Sequence, residues 1–161
     1  MRIPEGAKVS LDNGKVTVSG SKGTISKDFS SNNVSIQIND GEVLVSGDKT
    51  MVRTVETHIK NMAIGVTTGY TKKLKAIYSH FPIATEVKGQ EILIKNFLGE
   101  KQPRKSKIVG QTKVEVKGQE ITILGISKED VSQTIANLKA ATKIKDRDSR
   151  IFQDGYYVIE E

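Results

Sequence analysis

A chain of 161 residues with a formal net charge of +6 and a pI near 9.4 is long enough for one large domain or two small ones, and basic enough to suit a polyanionic partner. It has no cysteine, which excludes disulfides, thiolate metal sites and thiol catalysis and suits a reducing compartment. Hydrophobic residues are 36% and aromatics only 5%, so the core must be mostly Val, Ile and Leu on half-buried sheets, and no disordered class is indicated.

The N-terminal stretch Met1 to Gly6 lacks an apolar segment of signal-peptide length. No run approaches the ~20 apolar residues that span a bilayer, so a soluble intracellular protein is expected. From Val9 to Val16 an apolar residue, a polar turn with Gly and a resumed alternation predict an antiparallel hairpin. Gly20-Ser21-Lys22-Gly23 resembles the nucleotide-clamping G-x-x-G of KH domains. That motif joins helices, whereas this one lies between strand-like Val16 to Val18 and Thr24 to Ile25, and a tight turn is the expected form. A second hairpin is predicted over Ile36 to Val43. Val52, Val55, Ile59, Met62 and Val66 then recur at steps of three and four, a helix that Asp48 precedes as a start signal.

The second half repeats this order. The hexapeptide Val-Lys-Gly-Gln-Glu-Ile occurs at Val87 to Ile92 and again at Val116 to Ile121, giving a third and a fourth hairpin. Val131, Ile135 and Leu138 mark a second helix, and Ser127 with Asp130 resembles a capping box. Ile36, Ile38, Glu42, Val43, Val45 and Gly47 align with Val114, Val116, Glu120, Ile121, Ile123 and Gly125 at a constant offset of 78 residues. Two tandem copies of hairpin, hairpin, helix and extended tail follow, with domains expected over residues 1–80 and 81–161.

Charge is unevenly spread. Residues 1–48 hold five bases and six acids, so the excess lies beyond them. Lys72, Lys73 and Lys75 follow the first helix. Lys95, Lys101, Arg104, Lys105, Lys107 and Lys113 face one acid, Glu100, and Lys139, Lys143, Lys145, Arg147 and Arg150 straddle the end of the second helix. Lys139 and Lys143 are explained by the helix dipole alone, whereas Arg147 and Arg150 fall in a predicted extended segment beyond it. The connection from Asn96 to Gly110 is longer than a hairpin needs, and is the sharpest candidate site. Its Arg and Lys suit phosphates, Gly99 would admit a close backbone, and Phe97 would either stack on a base or anchor the loop in the core. RNA binding and a bare solvated loop are both open on these residues.

Catalysis has little support. His58 and His80 share no partner in sequence and fit no metal-ligand spacing, and the acids in the turns form no pairing pattern. No enzyme, metal or cofactor is expected.

Four stretches carry a resemblance that spans essentially the whole chain: Val18 to Gly23, Gly65 to Leu74 leading to Tyr78 to Ile83, Asn96 to Lys101 with Arg104, and Arg150 to Val158. On these the chain resembles the large-subunit ribosomal protein six family, in its archaeal form. The resemblance implies two α+β domains arisen by duplication, each an antiparallel sheet packed with one helix. It also implies a structural constituent of the large subunit in the cytoplasmic ribosome, a monomer there, bound to rRNA and to neighbouring ribosomal proteins. The implied position is near the sarcin-ricin loop and the docking region of translational GTPases. Bacterial relatives end in a Lys- and Gly-rich tail, where this chain ends Ile159-Glu160-Glu161. Ser21 stands where Pro is common, and Tyr156 where an aliphatic residue is more usual.

The expected rRNA-binding residues are Asn96, Gly99, Lys101, Arg104, Lys105, Lys107, Arg147 and Arg150. Arg104, Lys105 and Lys107 are assigned to phosphates, Asn96, Gly99 and Lys101 to a close fit of the loop, and Arg147 and Arg150 to an extension of that surface. The competing expectation is a free-standing protein-interaction module that recruits acidic partners.

Overall fold

A computed structural model describes residues 3–4, 6–30, 34–39, 42–148 and 150–160. In chain order the elements are β1 (Lys8–Asp12), β2 (Lys15–Gly20), β3 (Gly23–Asp28), β4 (Val34–Asn39), β5 (Glu42–Gly47) and α1 (Lys49–Thr67). They continue with β6 (Tyr70–Ile77), β7 (Ala84–Lys88), β8 (Glu91–Lys95), a 3-10 turn (Phe97–Gly99), β9 (Arg104–Lys107), β10 (Lys113–Lys117), β11 (Glu120–Gly125), α2 (Lys128–Ala141) and β12 (Gly155–Glu160).

The repeated hexapeptide forms the same local structure twice. Gly89 (φ 58°) and Gly118 (φ 60°) are the first of two central residues in the turns β7 to β8 and β10 to β11, the place where a two-residue II′ turn requires Gly. Register repeats as well: Ile36 pairs Val45 and Ile38 pairs Val43 in the first half, as Val114 pairs Ile123 and Val116 pairs Ile121 in the second. Asp40 and Gly41, the expected turn of the second hairpin, lie outside the described residues, as do Met1, Arg2 and Glu5 of the N-terminal stretch and Glu161 at the other end.

By its contacts the chain divides into one unit of Met1–Tyr70 with Ile126–Lys128 and another of Thr71–Gly125 with Glu129–Glu161. The first holds the three-stranded sheet β1-β2-β3 and the pair β4-β5, with α1 packed on β2, β3 and β5. Val16, Val18, Phe29, Val43, Val55, Ile59, Met62, Ala63 and Val66 form its core. The apolar residues of α1 spaced at three and four therefore face the sheets. Asp48 stands at the N-cap but makes no side-chain capping bond.

The second unit holds the three-stranded sheet β7-β8-β9 and a four-stranded sheet in the order β10-β11-β6-β12. Leu74, Ile92, Ile94, Phe97, Ile121, Ile123 and Leu138 are fully buried in it.

Three features depart from the local reading. Residues 104–107 are the strand β9 beside β8, with Arg104 opposite Ile94 and Ser106 opposite Ile92, so the long basic connection is partly sheet. Arg147 and Arg150 lie in a turn and not in an extended segment: the amides of Ile151 and Phe152 both donate to the carbonyl of Asp148, and Asp146 takes a left-handed φ of 58°. The tail of the first copy, β6, is an inner strand between β11 and β12 in the four-stranded sheet, where Leu74 and Ala76 are buried and Lys75 and Ile77 exposed. Lys73 and Lys75 thus stand on the side opposite Leu74 and Ala76, whereas Lys72, half-buried, shares the face of those core residues.

Candidate nucleic-acid interface

The stretch after β8 is shaped by backbone first. Asn96 (φ 59°) and Leu98 (φ 51°) are left-handed, a conformation that is uncommon for residues other than Gly and that wraps the chain tightly around Phe97. Phe97 is 1% exposed, so it anchors the loop in the core and is not offered to a base. Burying a Phe side chain contributes about 1.5 to 3 kcal/mol, enough to hold a short turn in place.

Arg104 completes the turn. Its guanidinium carbon lies 4.5 Å from the centroid of the Phe97 ring. Nε and Nη2 donate to the two carboxylate oxygens of Glu100 at 2.8 and 2.6 Å, and Nη1 donates to the carbonyls of Ala141 (2.9 Å) and Lys143 (3.2 Å). Four of its five N–H bonds are therefore directed into the protein. The two carbonyls belong to the C-terminal end of α2 and the residues just past it, so the same cation satisfies backbone acceptors that a helix end leaves open. Arg104 holds the Glu100 carboxyl below its usual range by that hydrogen bond, and the charge of Arg147 adds to the effect.

The other expected loop residues are likewise used inside the second unit. The Asn96 side-chain amide donates to the carbonyl of Pro82 at 3.1 Å. A Cβ on Gly99 would sit 3.2 Å from the edge of the Phe81 ring, so this glycine makes room for an aromatic of the protein itself. Phe81 remains 44% exposed on its outer side.

The remaining cations divide into two groups. Lys101 is exposed, and so are Lys143, Lys145, Arg147 and Arg150 on the segment after α2. Arg147 lies 4.8 Å from the centroid of Phe152, whose ring is met edge-on by His80 at 6.0 Å. The Arg150 side chain is 92% exposed and lies 3.9 Å from Asp148. Lys105 and Lys107, by contrast, stand on β9 on the side opposite the buried Ser106, where Lys105 comes within 4.0 Å of Glu91. Lys95 is tied to Glu86 at 2.6 Å.

Three segments thus converge: 80–82, 96–104 and 141–152. The contacts Asn96 to Pro82, Gly99 to Phe81, Arg104 to Ala141 and Lys143, and Phe152 to His80 join them. Of the chain's four Phe residues, three (Phe81, Phe97 and Phe152) lie here. Reading residues in order singled out the cations but missed Glu100, His80, Phe81 and Phe152 as their setting. The scarcity of aromatics and their clustering near Lys and Arg was the available signal. Among the described residues no group of three or more His, Cys, Asp or Glu is placed to hold a metal ion.

The ribosomal protein L6 family model matches this chain over residues 3–69 and 81–155. Its two segments leave out residues 70–80, which hold β6 and the junction after it, and the chain ends at residues 1–2 and 156–161, the latter including most of β12. The chain is 46% identical to large ribosomal subunit protein uL6 of Methanosarcina mazei, covering 100% of this chain and 95% of that protein. It is 47% identical to uL6 of Methanobrevibacter smithii (100% and 94% covered) and 44% identical to uL6 of Aeropyrum pernix (99% and 92%).

Proposed function

This chain belongs to the ribosomal protein L6 family, and on that premise we propose that it docks on large-subunit rRNA through the convergent face of its second unit. Its role is structural and not enzymatic, and its place is the large subunit of the cytoplasmic ribosome. The observation that carries the proposal is the set of exposed cations, Lys101, Lys143, Lys145, Arg147 and Arg150, on segments that Arg104 and the Phe rings already hold in shape. Cations carried on a pre-shaped backbone meet phosphates at a reduced ordering cost, since only their side chains remain to be fixed, which suits recognition of folded RNA by charge and form. Lys105 and Lys107 offer a second row on β9. Asn96, Gly99 and Arg104 act as positioning residues behind these contacts. The location that the family resemblance implies, near the sarcin-ricin loop and the docking region of translational GTPases, with ribosomal proteins as neighbours, belongs to the same proposal.

Binding of the purified chain to deproteinised large-subunit rRNA, measured against salt, tests it. Lys101→Ala, Arg147→Ala and Arg150→Ala together are expected to weaken binding and to lower the log-log salt slope by about 0.7 to 0.9 for each phosphate that is no longer neutralised. Lys105→Ala with Lys107→Ala measures the β9 row separately. An unchanged slope in both folded variants would overturn the assignment of this face. Failure of the native protein to sediment with large subunits, with capture by acidic proteins instead, would favour the interaction-module reading.

A further inference from the structure

The four-stranded sheet of the second unit ends in an open edge. β12 is its outer strand, bonded to β6 on one side only. Antiparallel pairing uses the N–H and C=O of every second residue, so along Tyr156 to Ile159 half of the backbone groups point away from β6. None of these four residues makes a further backbone bond among the described residues. The side chains around the edge are apolar and open to solvent: Tyr157 is 46%, Val158 36% and Ile159 50% exposed, and Ile77, diagonal to Tyr157 on β6, 43%. Half of the large apolar side chains that stand exposed among the described residues are thus on this one pair of strands.

Sheet edges are guarded by Lys or Pro on the strand, by a bulge, or by a covering element. β9, an outer strand of the other sheet in this unit, has three bases and is closed by α2: the Asn137 side chain donates to the Lys107 carbonyl at 3.1 Å, and the Val109 amide just past the strand to the Thr134 hydroxyl at 3.1 Å. β12 has neither Lys nor Pro, and its ladder runs regularly from Gly155 to Val158 and shifts only past that point. Most of β12 and all of β6 also lie outside the family match, so family membership by itself gives this edge no role.

The form of the edge names its occupant. Alternating donors and acceptors at strand spacing are matched by an extended peptide backbone, and Tyr157 and Val158, on opposite faces of the sheet, favour apolar residues at successive positions of an added strand. Past Val158 the chain reads Ile-Glu-Glu, with Lys73 opposite the first Glu in the ladder, so a base flanking the added strand completes the match. A second copy of this chain fits less well. Specific interfaces between globular proteins bury about 1,000 Å² or more, and one short edge is far smaller. A tail whose folded part is already fixed in the same particle needs no such area, because tethering raises its local concentration to about millimolar.

We infer that β12 is extended, in the assembled large subunit, by a strand from a neighbouring protein: a segment with a short run of β-branched or aromatic residues flanked by Lys or Arg, paired backbone to backbone alongside Tyr156 to Ile159. The inference rests on the chain's place in the large subunit and not on its rRNA face.

Large subunits that carry the full chain provide the test. A benzophenone side chain in place of Ile159 is expected to crosslink on irradiation to one segment of another protein with this composition. The same group in place of Lys101 reports the rRNA face separately. Hydrogen exchange at the amides of Tyr157 to Ile159 should slow by about tenfold or more from the purified chain to the subunit. Tyr157→Lys, which puts a guarding cation on the edge, should abolish both the crosslink and the added protection while the rRNA salt slope stays native. Tyr157→Phe, which loses only the 2.9 Å bond from its hydroxyl to the Gln153 carbonyl, should keep both and so separates edge pairing from local folding. A crosslink from position 159 to rRNA or to a second copy, no crosslink, unchanged exchange in the subunit, or a crosslink that survives Tyr157→Lys would overturn the inference.

Discussion

Gly65→Ala is expected to destabilise the protein by on the order of 3 kcal/mol, read as a lower denaturation midpoint. At an ordinary position inside a helix the same change would stabilise by about 1 kcal/mol, because Ala loses less backbone entropy than Gly. Here a Cβ would collide with the carbonyl oxygen of Ile126 and come within 3.2 Å of the Tyr70 ring. The oxygen belongs to backbone and cannot swing aside as a side-chain tip would. At the next residue of α1, Gly20 at the end of β2 meets the same constraint, with its would-be Cβ 2.7 Å from the carbonyl oxygen of Val66. Lys22 N–H then donates to that Val66 carbonyl at 2.9 Å, and the Lys22 ammonium to the carbonyl of Thr68. The turn Gly20 to Gly23 is therefore the cap of α1, whose own last turn has no basic residue. If Gly65→Ala unfolded at the same denaturant concentration as the native chain, this close approach would be wrong.

Arg104→Ala is expected to cost about 2 kcal/mol, since it removes charge-assisted bonds to Glu100, two backbone carbonyls of the α2 end, and the stacking on Phe97. The cost stays this low because Arg104 and Glu100 are 26% and 39% exposed, so solvent screens the pair. Arg104→Lys should recover only part of it, because a single ammonium cannot reach the carboxylate and both carbonyls in one plane. Acid dependence follows from the same pair. The Glu100 carboxyl is depressed below its ordinary 4.5, first by the Arg104 hydrogen bond. A depressed acid contributes stability that is fully present above the unfolded value and is lost as pH falls below 4.5 through the folded value. Glu100→Gln should flatten that acid limb, measured as midpoint against pH. Function separates two roles for Arg104. As a clasp, its removal weakens rRNA binding with the salt slope unchanged. As a phosphate ligand, its removal lowers the slope by about 0.7 to 0.9.

The sequence by itself determined the duplication, the four hairpins and the two helices. These rest on alternation, on turn glycines and on spacings of three and four, all of which act within a few residues. The offset of 78 residues survives as identical strand register in β4-β5 and β10-β11. Only the tertiary structure decided where β6 went: the tail of the first copy became an inner strand of the four-stranded sheet, because the partner of a strand depends on which edges are open as well as on the strand's own residues. The candidate site divides in the same way. Its cations were legible as a composition, and the family's motifs singled out the stretch from Asn96 to Arg104. The role of Arg104 was not legible, since two of its partners, Ala141 and Lys143, lie 37 and 39 residues away and are backbone oxygens that carry no mark in a sequence. A side chain's charge is local, but whether that charge faces solvent or is consumed by a helix end is set by packing.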